Sequence, residues 1–312
     1  MDFKTAWNIY QAHYSPSDVF GDTYLNLSKT PQKFPDLLAI KDEFDALLLD
    51  GFGVLNVGES VIADMPRIIN TLKDMGKHIF VLTNGGSRAS VVIAKKYPSL
   101  GYNIDPEYVI SSRDALEICL KDHPITRKNG LWGAIVMPNS QLDMLPASAI
   151  YLDNDQDFDK VDGFLFLGSY AWNNKRQAAL AESLMKNPRP VLIGNPDICA
   201  PLEDGLSTEP GFYALLLEAI DGVELTRFGK PFPNIYAHAL DKMAKVLAAQ
   251  QKPMPDKQRI LMVGDTLHTD ILGGNGAGMK TALMTDWGFL RGQDATLFIH
   301  ESQITPDFIL GV

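Results

Sequence analysis

The chain is expected to fold as an α/β protein built on a mostly parallel sheet. Three observations carry that expectation. Short apolar runs alternate with stretches of helical periodicity, the pattern of βαβ units. The run Ala46–Leu49 is apolar throughout and ends on a carboxylate, Asp50, followed by Gly-Phe-Gly, as a buried strand entering a tight turn would. With 312 residues, of which 46% are hydrophobic and 21% charged, the chain is long enough for two modest domains or one large one with a sizeable core.

Taken in order, residues 1–40 read as an extension: an aromatic segment with Trp7, Tyr10 and Tyr14, then SPSDVFGD and SKTPQKFPD, rich in turn residues. The strands are expected at Ala46–Leu49, His78–Leu82, Leu131–Val136, Gly163–Leu167, Val191–Ile193, Ile260–Val263 and Thr281–Met284. Between the first two, Ile62, Met65, Ile68, Ile69, Leu72 and Met75 fall at helical spacing, and Gly76 suits the cap after the helix. A second helix is expected through NIYAHALDKMAKVLAAQ, residues 234–250. In open parallel sheets ligands bind at the carboxyl ends of the strands. The residues just after each strand are therefore the candidates for chemistry.

Composition narrows the function classes. A net charge of −10 argues against nucleic acid or an anionic membrane as partner, since phosphate backbones are held by clustered Lys and Arg. It leaves room for a small phosphorylated substrate in a locally positive site. Cys119 and Cys199 are the only cysteines and give neither a disulfide framework nor a zinc spacing. No signal peptide is expected at the start, and no apolar run approaches the ~18 residues of a membrane span. A cytoplasmic protein is the expectation.

Four strand-end clusters stand out. Asp50 follows the first strand. Thr83-Asn84-Gly85-Gly86 follows the second. Lys230 stands in Gly-Lys-Pro before a helix, and Gly264-Asp265-Thr266-Leu267-His268-Thr269-Asp270 follows the strand ILMV. Hard cations such as Mg²⁺ take oxygen ligands, and one or two carboxylates with substrate phosphate suffice. Asp50, Asp265 and Asp270 would make such a pocket; alone, Asp270 reads equally as a helix-initial acid suited to the macrodipole. Thr83, Gly85 and Gly86 read as an anion cradle, or as an N-cap and turn. Lys230 could neutralise phosphate charge, or be an ordinary solvated lysine. His268, inside the acidic loop, is a lesser candidate to line the site. No GxSxG and no catalytic cysteine motif occurs.

In this order the motifs resemble those of the haloacid dehalogenase superfamily: Asp50 in LLLDGFGVL, Thr83 in VLTNGGSR, Lys230 in FGKP and the acidic pair in VGDTLHTD. ILGGNGAGMKTALM behind the last motif, and GNPD (Gly194–Asp197) followed by EPGFYALLLEAIDGVELTRFGKPFPNIY, extend the resemblance to class IIA phosphatases with a C2-type cap. That group contains bacterial sugar- and nucleotide-phosphate phosphatases and pyridoxal phosphate phosphatases. The resemblance covers roughly Ala46 to Trp287. It implies a Rossmann-like core at 41–124 and 225–312, with an α/β cap inserted at 125–224 and the extension at 1–40 outside it. It implies that Asp50 attacks phosphorus to form an aspartyl-phosphate. Mg²⁺ would be held by Asp50, the backbone carbonyl of Phe52, Asp265 and, through water, Asp270. Thr83, Asn84, Gly85 and Lys230 would hold the phosphoryl group. Asn195 and Asp197 would contact substrate from the cap side, or merely form an Asx-turn around Pro196. Relatives of this class commonly dimerise through the cap.

Phe52 departs from the family pattern, which has a second aspartate there to protonate the leaving oxygen and activate water. Loss of a general acid–base costs roughly 10²–10⁴ in rate. Of the polar residues downstream, Asn56 cannot exchange a proton usefully, and Glu59 lies where the family geometry places no catalytic group. The leading expectation is a Mg²⁺-dependent hydrolase of a small phosphorylated metabolite, slowed by Phe52. The alternatives are a non-catalytic phospho-ligand binder, or phosphoryl transfer or another reaction of the superfamily on the same scaffold.

Overall fold

The structure, a computed structural model, describes residues 1–21 and 29–311. The first third of the chain carries β1 (Gln32–Phe34), β2 (Ala46–Leu49), β3 (Asn56–Val57), β4 (Ser60–Val61), β5 (His78–Thr83) and β6 (Val109–Ser111). The middle carries β7 (Trp132–Ile135), β8 (Ala149–Tyr151), β9 (Gly163–Phe166), β10 (Val191–Ile193), β11 (Pro201–Leu202), β12 (Gly205–Leu206) and β13 (Leu225–Arg227). The last third carries β14 (Ile260–Gly264), β15 (Lys280–Met284) and β16 (Phe308–Leu310). A seven-stranded sheet has the order β1-β16-β15-β14-β2-β5-β6, and a five-stranded sheet the order β13-β10-β9-β7-β8. Every pairing within these two sheets is parallel. The expected α/β class is the one observed.

The centre of the larger sheet explains why its strands lack polar alternation. In β2, Leu47 and Leu49 face one hydrophobic cluster while Ala46 and Leu48 face another. β14 divides in the same way, Leu261 and Val263 against Ile260 and Met262, in register with β2. A strand covered on both faces must be apolar at every position. On the first face lies the helix Met65–Asp74, which buries Met65, Ile68, Ile69 and Leu72. Ile62, expected within this helix, is buried ahead of it, and Met75 is exposed. Gly76 has φ +86°, the left-handed conformation that ends helices most cheaply with glycine. On the second face the helices Ser112–Asp122 and Pro233–Ala249 pack together with Trp132, Leu165 and Leu192 of the smaller sheet. The two sheets thus share one apolar cluster.

The seven expected strands are present to within a residue at either end. Five three-residue strands of the two sheets, β1, β6, β8, β13 and β16, were not expected. β1 reads Gln-Lys-Phe at a sheet edge, and β8 and β13 are only half buried, so they lack the continuous apolar signature of the interior strands.

The N-terminal segment is built into the fold. Helix α1 (Phe3–His13) is capped by Asp2, whose Oδ1 accepts from Thr5 N at 3.0 Å. It buries Ala6, Trp7 and Tyr10. β1, from the same segment, pairs with β16 to form the edge of the larger sheet. The turn-rich reading of residues 22–28 lies outside the described residues. Trp7 is 5% exposed and sets its indole edge-on against Phe298 at 4.5 Å and His268 at 4.9 Å. Trp7→Ala is therefore expected to cost about 3–5 kcal/mol, read as a lowered midpoint in urea unfolding.

Candidate active site

The larger sheet delivers its chemistry at one edge. β2, β5 and β14 are neighbours, and their carboxyl ends lead into Asp50, Thr83 and Asp265. Asp50 N donates to Val263 O at 2.9 Å, so the ladder fixes the nucleophile candidate to the last residue before the turn. Its Oδ1 accepts from Gly51 N at 2.7 Å and from Lys230 Nζ at 2.6 Å. Oδ2 accepts nothing among the described residues and is the free oxygen. Lys230 is 1% exposed and also reaches Asp270 Oδ1 at 2.7 Å. Asp270 is fully buried in a π-helical turn, Leu267–Ile271, and its Oδ2 accepts from Thr266 N at 3.1 Å. Asp265 accepts from Thr266 Oγ1 at 3.0 Å and from Phe289 N at 2.7 Å.

Asp50, Asp265 and Asp270 offer oxygens that all lie within 4.8 Å of one another. The carbonyl of Phe52 accepts no hydrogen bond among the described residues. This donor set is all oxygen, partly buried and convergent, and it suits a hard divalent cation. Glycine makes the approach possible. Gly53 has φ +76°, and a Cβ there would stand 2.3 Å from Asp265 Oδ2. A Cβ on Gly264 would stand 2.0 Å from Asp270 Cγ. No other residue lets both carboxylates sit so close to the chain.

Asn84 is the brace. Its Oδ1 accepts from Lys230 N at 2.7 Å, while Nδ2 donates to Lys230 O at 3.0 Å and to Asp197 Oδ1 at 2.8 Å. Thr83 Oγ1 accepts from Gly85 N at 3.2 Å. Asn195 Oδ1 accepts from Asp197 N at 3.1 Å across Pro196, which is the Asx-turn geometry, and its Nδ2 donates to Glu209 at 3.0 Å. These residues line a cavity of about 450 Å³ with Asp50, Phe52, Thr83, Gly85 and Asp265. Lys230 and Asp270 lie beneath that surface. His268 does not face the cavity. It is fully buried against α1, stacked on Tyr10 at 5.3 Å with Nε2 2.8 Å from Gln11 Oε1, and burial pushes it down to about 3.

One charged wall residue escaped the sequence reading and another was set aside in it. Lys96 Nζ lies 4.8 Å from the centroid of the Phe52 ring and donates to Asn56 Oδ1 at 3.1 Å. Glu59, set aside from the sequence, lines the cavity. Lys96 sits in KKYPS, with no glycine and no strand end beside it, so no local signal marks it.

The electrostatics follow from burial and crowding. Burial pushes the Asp50 carboxyl up to about 6, opposed by Lys230 and reinforced by Asp270. Asp265 is pushed up to about 8 by burial, then by Asp270 and Asp50. Burial alone would lower Lys230, but Asp270, Asp50 and Asp197 outweigh it and hold its ammonium above the ordinary lysine value. Asp197 is held well above the carboxylate range, chiefly by burial.

Residues 47–138 match the family model of haloacid dehalogenase-like hydrolases, and residues 227–310 match a HAD-hydrolase-like model. Together the matches span more than half of the chain and contain Asp50, Thr83, Lys230, Asp265 and Asp270. The chain belongs to the haloacid dehalogenase-like hydrolases. It is similar to the acid sugar phosphatase of Staphylococcus aureus, 24% identical over 240 residues, 77% of this chain and 85% of that protein. Among solved structures it resembles a "possible sugar phosphatase, HAD superfamily" from Cytophaga hutchinsonii, 26% identical, with TM-score 0.76 over 90% of this chain and 98% of that one. It also shares the fold of a glycerol phosphate phosphatase from Mycobacterium tuberculosis solved with magnesium, 20% identical, with TM-score 0.60 over 80% of this chain and 69% of that one.

The raised carboxyls have a thermodynamic sign. Their folded values exceed the ordinary value of about 4, so the folded state holds more protons than the unfolded between pH 4 and 8. Stability contributed by these groups is therefore lost as pH rises through that window. In chelator, the melting temperature is expected to fall between pH 5 and 8. A divalent cation, which replaces the protons, should raise it more at pH 8 than at pH 5. Asp265→Asn should flatten both effects in scanning fluorimetry.

Proposed function

We propose that the protein hydrolyses phosphate monoesters of small metabolites in a Mg²⁺-dependent reaction, with Asp50 as nucleophile. The observation that carries this reading is the convergence of Asp50, Thr83, Lys230, Asp265 and Asp270 at one sheet edge beside a cavity of about 450 Å³. The family membership and the sugar phosphatase relatives support it. Asp50, the Phe52 carbonyl and Asp265 would hold Mg²⁺, with Asp270 acting through water since Lys230 and Thr266 already engage its oxygens. When bound, the ion neutralises charge on the phosphoryl oxygens.

The chain's own residues do the rest. Lys230 and Gly51 N hold Asp50 Oδ1 and so aim Oδ2 into the cavity. Oδ2 attacks phosphorus, the ester P–O bond breaks, and its electron pair leaves with the alcohol oxygen. Thr83 Oγ1 and the N–H groups of the glycine loop bind the phosphoryl oxygens, and Lys230 balances their charge. Water then attacks phosphorus, releases phosphate and restores the carboxylate. Phe52 can neither give a proton to the leaving oxygen nor take one from the attacking water, whose proton passes to solvent. The leaving oxygen takes its proton from solvent or from the substrate itself, so turnover is slow and favours acidic leaving alcohols.

Phosphate release from a panel of phosphorylated metabolites with Mg²⁺ tests this reading. Asp50→Asn is expected to abolish it; release that survives the substitution overturns the mechanism. Phe52→Asp is expected to raise release by about 10²-fold. If the wild type binds phosphate esters without releasing phosphate, the site is a phospho-ligand sensor with its proton shuttle removed.

A further inference from the structure

Lys96 lines the same cavity as Asp50 and Thr83, and it is half buried. Its ammonium has three donors. One goes to Asn56 Oδ1 at 3.1 Å, and no carboxylate stands within 4.0 Å of it among the described residues. The faces of Phe52 and Tyr97, with centroids at 4.8 and 5.3 Å, complete its surroundings. Aromatic faces hold a cation without neutralising it. Glu59 on the same wall is exposed, and its carboxylate stays beyond ion-pair distance. Arg88, exposed on the rim of the cavity, likewise has no ion pair among the described residues.

A partly desolvated charge without a partner is costly. The phosphoryl group in front of Asp50 already has Lys230, Thr83 and the cation ligands to meet its charge, which leaves Lys96 for a second anion. Phe52 clarifies the arrangement. The aromatic ring there sets a π face, not a carboxylate, against the Lys96 ammonium. Phenylalanine leaves the charge uncompensated and directed at the cavity.

We propose that Lys96, with Arg88 at the rim, recognises a second anionic group on the substrate, so that the substrate class is an acidic phosphomonoester: a phosphorylated sugar acid or a bisphosphate. This rests on the reading of the cavity as a phosphate-ester site and assigns the far end of the ligand.

Matched pairs test it. 3-Phosphoglycerate against glycerol 3-phosphate, and 6-phosphogluconate against glucitol 6-phosphate, exchange a carboxylate for a hydroxymethyl group at two reaches. Fructose 1,6-bisphosphate against fructose 6-phosphate tests a second phosphate. kcat/KM is measured for wild type, Lys96→Met, Lys96→Gln and Lys96→Arg, and Kd by calorimetry in Asp50→Asn protein with Mg²⁺. In at least one pair, wild type is expected to favour the acidic member by about 10-fold or more, the range of one charge-assisted hydrogen bond. Lys96→Met and Lys96→Gln should bring that ratio to within about 2-fold of unity, and Lys96→Arg should keep most of it. A ratio near unity in wild type for every pair overturns the inference. So does a ratio that Lys96→Met leaves intact while weakening both members equally, which marks a merely structural lysine. Phosphate release without any preference sinks this inference alone. Lys96-dependent binding of an acidic member without release sustains it and sinks the hydrolytic reading instead.

Discussion

The site depends on one buried cation. Lys230 places its ammonium between Asp50 and Asp270 at 2.6 and 2.7 Å, and nothing else positive lies within ion-pair distance of either carboxylate among the described residues. Without it, two buried acids would face each other beside two more, Asp265 and Asp197. Such a cluster would protonate or spread apart. Removing one partner of a buried pair leaves an uncompensated charge, which is far more damaging than the modest net value of the pair itself. Lys230 therefore permits the crowding of carboxylates that makes the edge of the sheet suitable for a divalent ion.

The rest of the architecture keeps that lysine in place. Asn84, on the loop after β5, grips both backbone polar groups of Lys230 and reaches Asp197 on the loop after β10. One amide side chain thereby joins both sheets and the lysine. On the far side, Tyr14 Oη donates to Pro196 O at 2.6 Å, and Ile198 N donates to Tyr10 Oη at 3.2 Å. The N-terminal helix thus holds the same loop from behind. The segment read from the sequence as an extension is part of the support of the cavity wall.

Much of this was legible because burial on both faces forces unbroken apolar runs. Ala46–Leu49 and Ile260–Val263 announce themselves, and the first polar residue after each is where chemistry must sit. Asp50, Thr83 and Asp265 came from that logic, Asp270 from lying one helical turn further on and Lys230 from its place before a helix, and the structure brings all five together. The short strands were not legible: Gln32–Phe34 and Leu225–Arg227 owe their conformation to a neighbour's ladder rather than to their own pattern. His268, the lesser candidate, stays out of the site because an acidic loop in sequence has two sides in space, and its imidazole takes the one facing Trp7 and Tyr10. Lys96 was missed for the opposite reason. It is distant in sequence from every motif and meets Phe52 only through the fold.

The apolar cluster shared by the two sheets bears on how the protein comes apart. Ala46, Leu48 and Met262 of one sheet and Trp132, Leu165 and Leu192 of the other belong to a single contiguous interior. Neither sheet can lose its packing without exposing residues of its neighbour to water. An inserted segment joined only by linkers would melt separately, with an endotherm of its own. Here the shared interior ties the two together, so calorimetric and van't Hoff enthalpies should coincide in one cooperative transition.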